Sequence, residues 1–302
     1  MGPNVIANDS VVVADPRGAR RLPGATALRS LARDPLALLG LAILVGAAFV
    51  AAFADLIAPG DPLDMAGIPL QWPGDDPAHV LGTDSLGRDV FSGLVHGTRA
   101  SLMIGLSAAG VSLALGVLVG AIAGYFGGRA DSALLRLTEL FQTVPAFLLV
   151  IVLVAINTPT IGVIQLAIGL ASWPEIARLV RSEFRLLRDS DFVLAARAAG
   201  FSSAHIVVRE VLPNALPPLI VTTSILVASA ILTESGLSFL GMSDPNVVSW
   251  GGMIGGNREH IGSAWFLTAL PGAAIAIVVL AFNLLGDGLN DALNPRLRRR
   301  PS

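Results

Sequence analysis

LAARAAGFSSAHIVVREVLPN, residues Leu194 to Asn214, is a short polar interruption between long apolar runs. Phe192, Ala195, Ala196 and Ala199 recur at i, i+3, i+4 and i+7, which predicts a helix with a narrow face of mostly small apolar side chains. Arg188, Asp189, Asp191 and Arg197 keep the remainder polar. Gly200 supplies the left-handed residue that closes such a helix. Ser202 or Ser203 is suited to cap the next one, and Pro213 is expected to break it just before apolar sequence resumes. The product is a helix-turn-helix lying along a membrane. From these residues alone, two roles stand side by side: a helix resting on lipid, or a plug for a groove in another protein. The small size of the apolar side chains suits close protein contact better.

The sequence around this stretch is written for lipid. Of 302 residues 53% are hydrophobic and 14% charged, with a mean hydropathy of +0.71, values of an integral membrane protein rather than of an aqueous core. The formal net charge of -2 decides little, because the distribution of charge along the chain sets topology. Cysteine is absent, which excludes disulfides, zinc thiolate sites and thiol catalysis.

A helix needs about 20 residues to cross the hydrocarbon, and six apolar runs approach that length. The expected spans are Leu36–Ala58, Ser101–Ala123, Val144–Thr158 with Pro145 in its first turn, a fourth from Ile161 that meets Pro174, Glu175 and Arg178, a fifth after Pro217 and Pro218 that reaches Glu234, and Ala264–Leu285. The expected segments are a tail of residues 1–35, a first span 36–58, a loop 59–100, a core 101–290 containing the polar segment 189–213, and a tail 291–302. Within the second span Ala108, Ser112, Gly116, Gly120 and Gly124 recur every fourth residue, which predicts a seam for close helix packing.

All 20 Lys+Arg residues are arginine. A cytoplasmic N-terminus places 17 of them inside and only Arg88, Arg99 and Arg258 outside, so both termini and the Leu194–Asn214 segment are expected in the cytoplasm. Arg20-Arg21 resembles a twin-arginine signal, but the apolar run begins only at Leu36 and is long enough to span, so a retained first span is expected.

The signature of one family fits the opening stretch. Leu194-Ala195-Ala196, Gly200, Glu210, Leu212 and Pro213 resemble, at matching spacing, the Glu-Ala-Ala, Gly, Ile and Leu-Pro signature of permease subunits of binding-protein-dependent ATP-binding-cassette importers; Leu194 stands where the family has glutamate, and Glu210 where it has isoleucine. HVLGTDSLGRDVFSGLVHGTRASL, GYFGGRADSALLRLTELFQTVPAFLL, ESGLSFLGM, SWGGMI and NLLGDGLNDALNP follow in the order seen in the C-type permease of dipeptide and oligopeptide importers.

That resemblance implies an all-α protein of six transmembrane helices with type I importer architecture, in the bacterial inner membrane, forming half of a pathway for di- or oligopeptides. It implies as partners a second homologous permease, two ATPases, an extracytoplasmic binding protein and the lipid bilayer, with no nucleic acid. Coupling to the ATPases falls on Ala195, Ala196, Arg197, Gly200, Leu212 and Pro213. With no lysine, the chain lacks a P-loop of the Walker kind, so ATP and Mg belong to partner subunits; no cofactor of its own is expected. Glu139, Gln142 and Glu234 are candidates for the pathway or its gate. Asp84, Arg88, Asp89 and Trp250 are candidates for docking the binding protein. His79, His96, His205 and His260 show no ligand spacing, so no metal is assigned. The same importer class also carries nickel complexes, opines and sugars. An ATP-independent channel, a membrane scaffold and an intramembrane hydrolase are the alternatives from other classes.

Overall fold

The computed structural model describes residues 30–293. The arginine-bearing ends, residues 1–29 and 294–302, lie outside the described residues, and with them Arg20-Arg21 and most of both expected tails. The described chain is helical, with one isolated antiparallel bridge between Thr83 and Asp89.

Helix α1 (Pro35–Ala52) starts on Asp34, whose carboxylate accepts from the amides of Leu36 at 2.9 Å and Ala37 at 3.3 Å; a four-residue turn α2 (Ala54–Ile57) follows. Helix α3 (Val90–Phe126) has 37 residues, about 55 Å at 1.5 Å per residue, and begins well before the expected Ser101. Asp89 caps it by accepting from Ser92 N at 2.7 Å, so the polar turns Val90–Ala100 continue the span instead of belonging to a loop. Apolar length alone underestimates a helix whose first turns leave the hydrocarbon.

The third expected span is broken. Helices α4 (Gly128–Gln142) and α5 (Ala146–Ala155) meet at 76°. Pro145 lacks an amide donor and disfavours the helical region for Val144, so the chain kinks there, and the ten residues of α5 rise only about 15 Å. Helix α6 (Ile161–Leu187) carries Pro174 internally, and the short α7 (Asp191–Ala198) follows it.

Pro213 does not break the helix that follows. Residues Ser203–Phe239 form one continuous helix, α8, passing through a π-helical stretch at Ile206–Val211 and then Pro213, Pro217 and Pro218. The wider π turn lies where the Pro213 ring would meet the preceding turn, and Asn214 Nδ2 donates to Glu210 O at 2.6 Å. After α9 (Trp250–Gly256), α10 (Phe266–Leu293) closes the bundle, against α1 on one side and α8 on the other. Among the described residues five helices are long and apolar enough to span, six with the bent α4–α5 pair counted as one.

The most extensive packing joins α3 to α6 along the small-residue stripe. A Cβ on Gly116 would lie 2.5 Å from Ile176 Cβ, one on Gly120 2.5 Å from Ala177 O, and one on Gly124 2.6 Å from Arg181 O. The backbones therefore touch where only glycine fits. Beyond the seam, Asp131 of α4 takes both the Nε and the Nη2 of Arg181, the latter at 2.8 Å, fastening the bent pair to α6.

Candidate functional site

The polar segment is built as a rigid elbow. Gly200 has φ +85°, and two backbone bonds close α7 around it, Gly200 N to Arg197 O at 3.0 Å and Phe201 N to Ala196 O at 3.2 Å, the pair expected of a glycine-terminated helix. Ser202 then accepts from His205 N at 3.3 Å and starts α8. The expected small-residue face is divided between two sides. Ala196 turns inward with Val193, three residues earlier, and both belong to the buried cluster that contains Ile206, Val211 and Phe184. Ala195, Ala199 and Gly200 point outward, joined by the exposed Phe192 and Leu194. Arg197 lies over the Tyr125 ring at 5.3 Å, which ties the elbow to the end of α3. Leu212 is half-buried against the core and Pro213 is exposed.

A cavity of about 530 Å³ opens between α5, α6 and α8. Gln142 lines it; Glu139, exposed on α4, does not. Its remaining polar wall comes from Ser172, Glu175 and Arg178 on α6 and Thr222, Ser229 and Thr233 on α8. From the sequence, Glu175 and Arg178 are irregularities of a span, and Arg178 is also one of the arginines expected on the cytoplasmic side. The signal that identifies them is a pair of ionisable residues inside an otherwise apolar stretch of helix.

Glu234 stands apart from the cavity. It is 2% exposed, and its Oε1 accepts from Ser238 Oγ at 2.9 Å and Ser249 Oγ at 2.7 Å. Ser249 is the N-cap of α9, accepting from Gly252 N at 2.9 Å, so the carboxyl group clips α9 to α8. Gly251 makes room for it, since a Cβ there would sit 2.6 Å from Glu234 Oε2. Trp250, 3% exposed, holds α9 to α3 by donating Nε1 to Leu94 O at 3.0 Å and its amide to Ser101 Oγ at 3.1 Å. Its buried indole offers no surface to a docking partner in this structure.

At the same end of the bundle the other docking candidates are mostly occupied by their own fold. Asp84 Oδ1 accepts from the amides of Leu86 and Arg88, both at 2.8 Å, and Asp89 caps α3 while meeting His79 Nδ1 at 3.3 Å. Arg88 differs. Among the described residues it has no carboxylate within 4.0 Å, and it lines a cleft of about 180 Å³ with Asp84, Asp89, Asp244 and Asn257.

Two family profiles match the chain: "Binding-protein-dependent transport system inner membrane component" over residues 116–299, and "N-terminal TM domain of oligopeptide transport permease C" over residues 23–73. Among curated proteins it is 40% identical to the di/tripeptide transport system permease protein DppC of Pseudomonas aeruginosa, covering 89% of this chain and 91% of that one. It is 36% identical to the dipeptide transport system permease protein DppC of Alkalihalophilus pseudofirmus, covering 91% of each. Among solved structures, an inward-facing form of the MetNI methionine ABC transporter aligns with a TM-score of 0.55 at 18% identity, over 67% of this chain and 96% of that one. That likeness concerns the fold.

Proposed function

The chain belongs to the family of binding-protein-dependent transport system inner membrane components, as a permease subunit of an ABC importer, and from that premise we propose that it forms half of a translocation pathway for di- and oligopeptides. It is a multi-pass transport subunit of a bacterial membrane and not an enzyme; the importer family supplies ATP hydrolysis through partner subunits. In our reading the partners are a second homologous permease, two ATPases that bind ATP and Mg, and an extracytoplasmic binding protein. Both termini and the elbow then face the cytoplasm.

The observation that carries the mechanism is mechanical continuity. The elbow at Gly200 leads into the single helix Ser203–Phe239, and that helix contributes Thr222, Ile225, Ser229 and Thr233 to the cavity wall. An ATPase groove that grips the exposed Leu194–Gly200 surface therefore moves a cavity wall without a flexible joint between them. ATP-driven closure of the two ATPases biases the pathway toward its outward-open state, and the loaded binding protein biases it in the same direction from the other end. The peptide assignment draws on the relatives, which are di/tripeptide and dipeptide transport system permeases.

The test is uptake of radiolabelled dialanine into proteoliposomes holding the complete importer. The reading expects accumulation that requires both ATP and the binding protein. Flux without ATP would replace it with a channel. ATP-dependent transport of another solute class, with none of peptides, would keep the importer and overturn the cargo.

A further inference from the structure

Eighteen residues line the cavity between α5, α6 and α8, and Glu175 and Arg178 are the two ionisable ones among them. Both are exposed on the cavity side of α6, and among the described residues neither has an oppositely charged group within 4.0 Å. They sit in the middle of α6: Glu175 lies fourteen residues after Ile161 and Arg178 nine before Leu187, about 21 Å and about 14 Å from the respective helix ends at 1.5 Å per residue. Unpaired charges on a membrane-spanning helix are costly in lipid and stand where they face water or a charged passenger. Of the other polar groups, Thr222 and Thr233 donate back to their own helix, to Pro218 O at 2.9 Å and Ser229 O at 2.8 Å, and Gln142, Ser172 and Ser229 are uncharged.

Resting on the peptide reading above, we propose that Glu175 and Arg178 are the charged contacts of the translocation pathway, and that they guide a zwitterionic short peptide with its ammonium toward Glu175 and its carboxylate toward Arg178. The dimensions agree. Side chains three apart on a helix start about 5–6 Å from one another, while the ends of an extended dipeptide are about 7 Å apart. At neutral pH such a peptide carries one charge of each sign. The cavity, about 530 Å³, lies within the roughly 300–1,000 Å³ of small-ligand sites. One pair of fixed opposite charges meets the dipole common to all dipeptides and leaves their side chains unread, which suits a pathway whose selection takes place on the binding protein.

The experiment uses the complete reconstituted importer with Glu175→Gln or Arg178→Gln, and measures initial uptake of Ala-Glu and Ala-Lys with ATPase activity in parallel. Dividing each variant's Ala-Glu to Ala-Lys ratio by the wild-type ratio cancels the selectivity of the unchanged binding protein. Glu175→Gln, which leaves Arg178 alone, is expected to raise that quotient at least threefold, and Arg178→Gln to lower it at least threefold, with binding-protein-stimulated ATPase activity retained. Quotients that stay at one, whether uptake is normal or falls equally for both peptides, overturn the assignment. So does a variant complex that falls apart, which would make the two charges contacts with the second permease. A wild-type importer that carries neither peptide fails differently: it defeats the cargo reading, and this inference with it.

Discussion

Replacing Gly200 isolates backbone conformation from packing. Its φ of +85° lies in the left-handed region, and nothing stands within 4 Å of a Cβ built there. A side chain therefore meets no clash, and the cost is confined to the backbone: about 1–2 kcal/mol for an ordinary residue, rising toward about 3 kcal/mol for a strained β-branched one. Asparagine, which visits this region through its short polar side chain, costs least. Taking about 2 kcal/mol for Gly200→Val, the closed elbow loses about 30-fold in population relative to alternatives in which the Phe201 N to Ala196 O bond is open. Spans away from the elbow keep their packing, so insertion and thermal stability in detergent stay near wild type. Coupling does not: dialanine accumulated per ATP hydrolysed by the reconstituted importer is expected to fall at least tenfold for Gly200→Val, less for Gly200→Ala and least for Gly200→Asn. Unchanged accumulation in Gly200→Val, or losses ordered by side-chain volume instead of by tolerance of positive φ, would refute this reasoning.

The α3–α6 seam and the Glu234 clip make further predictions. Gly120→Leu drives a side chain against the Ala177 carbonyl, 2.5 Å from its Cβ, and is expected to cost about 3 kcal/mol and to lower the detergent melting temperature, whereas Gly110→Leu on the same helix, with nothing within 4 Å, leaves it unchanged. Equal melting of the two variants would contradict backbone contact along the stripe. Glu234→Ala removes the acceptor of Ser238 and Ser249 and is expected to destabilise by about 3 kcal/mol, with Glu234→Gln losing less because an acceptor remains at Oε1; thermal melting of the purified protein checks the order.

Much of this architecture is legible in residue order. The four-residue glycine repeat announces close packing whatever the partner, and the structure supplies α6 as that partner. The Gly200 turn is read from local geometry alone. What the sequence conceals depends on exchange between local and distant terms. Val90–Ala100 looks like loop because His96 and Arg99 are polar, yet Asp89 starts a helix there, and both side chains reach back to the first-span region, His96 to Ala58 O at 3.0 Å and Arg99 to Ala51 O at 2.9 Å. Pro213 reads as a terminator, and a π turn carries the helix past it. Glu234 and Trp250 read as exposed or pathway groups, because their partners Ser249, Leu94 and Ser101 come from separate turns or another helix. Glu175 and Arg178 become a site only when α5 and α8 close the space in front of them.

As the membrane half of an ATP-driven machine, this chain is expected to stay bound to its partner subunits. The decisive measurement is to tag its C-terminus, purify it in mild detergent from its native cell and quantify co-purifying proteins by mass spectrometry. One homologous permease and two ATPase subunits are expected for each copy of this chain. A chain that purifies alone from several detergents, and conducts solute without ATP, would contradict it.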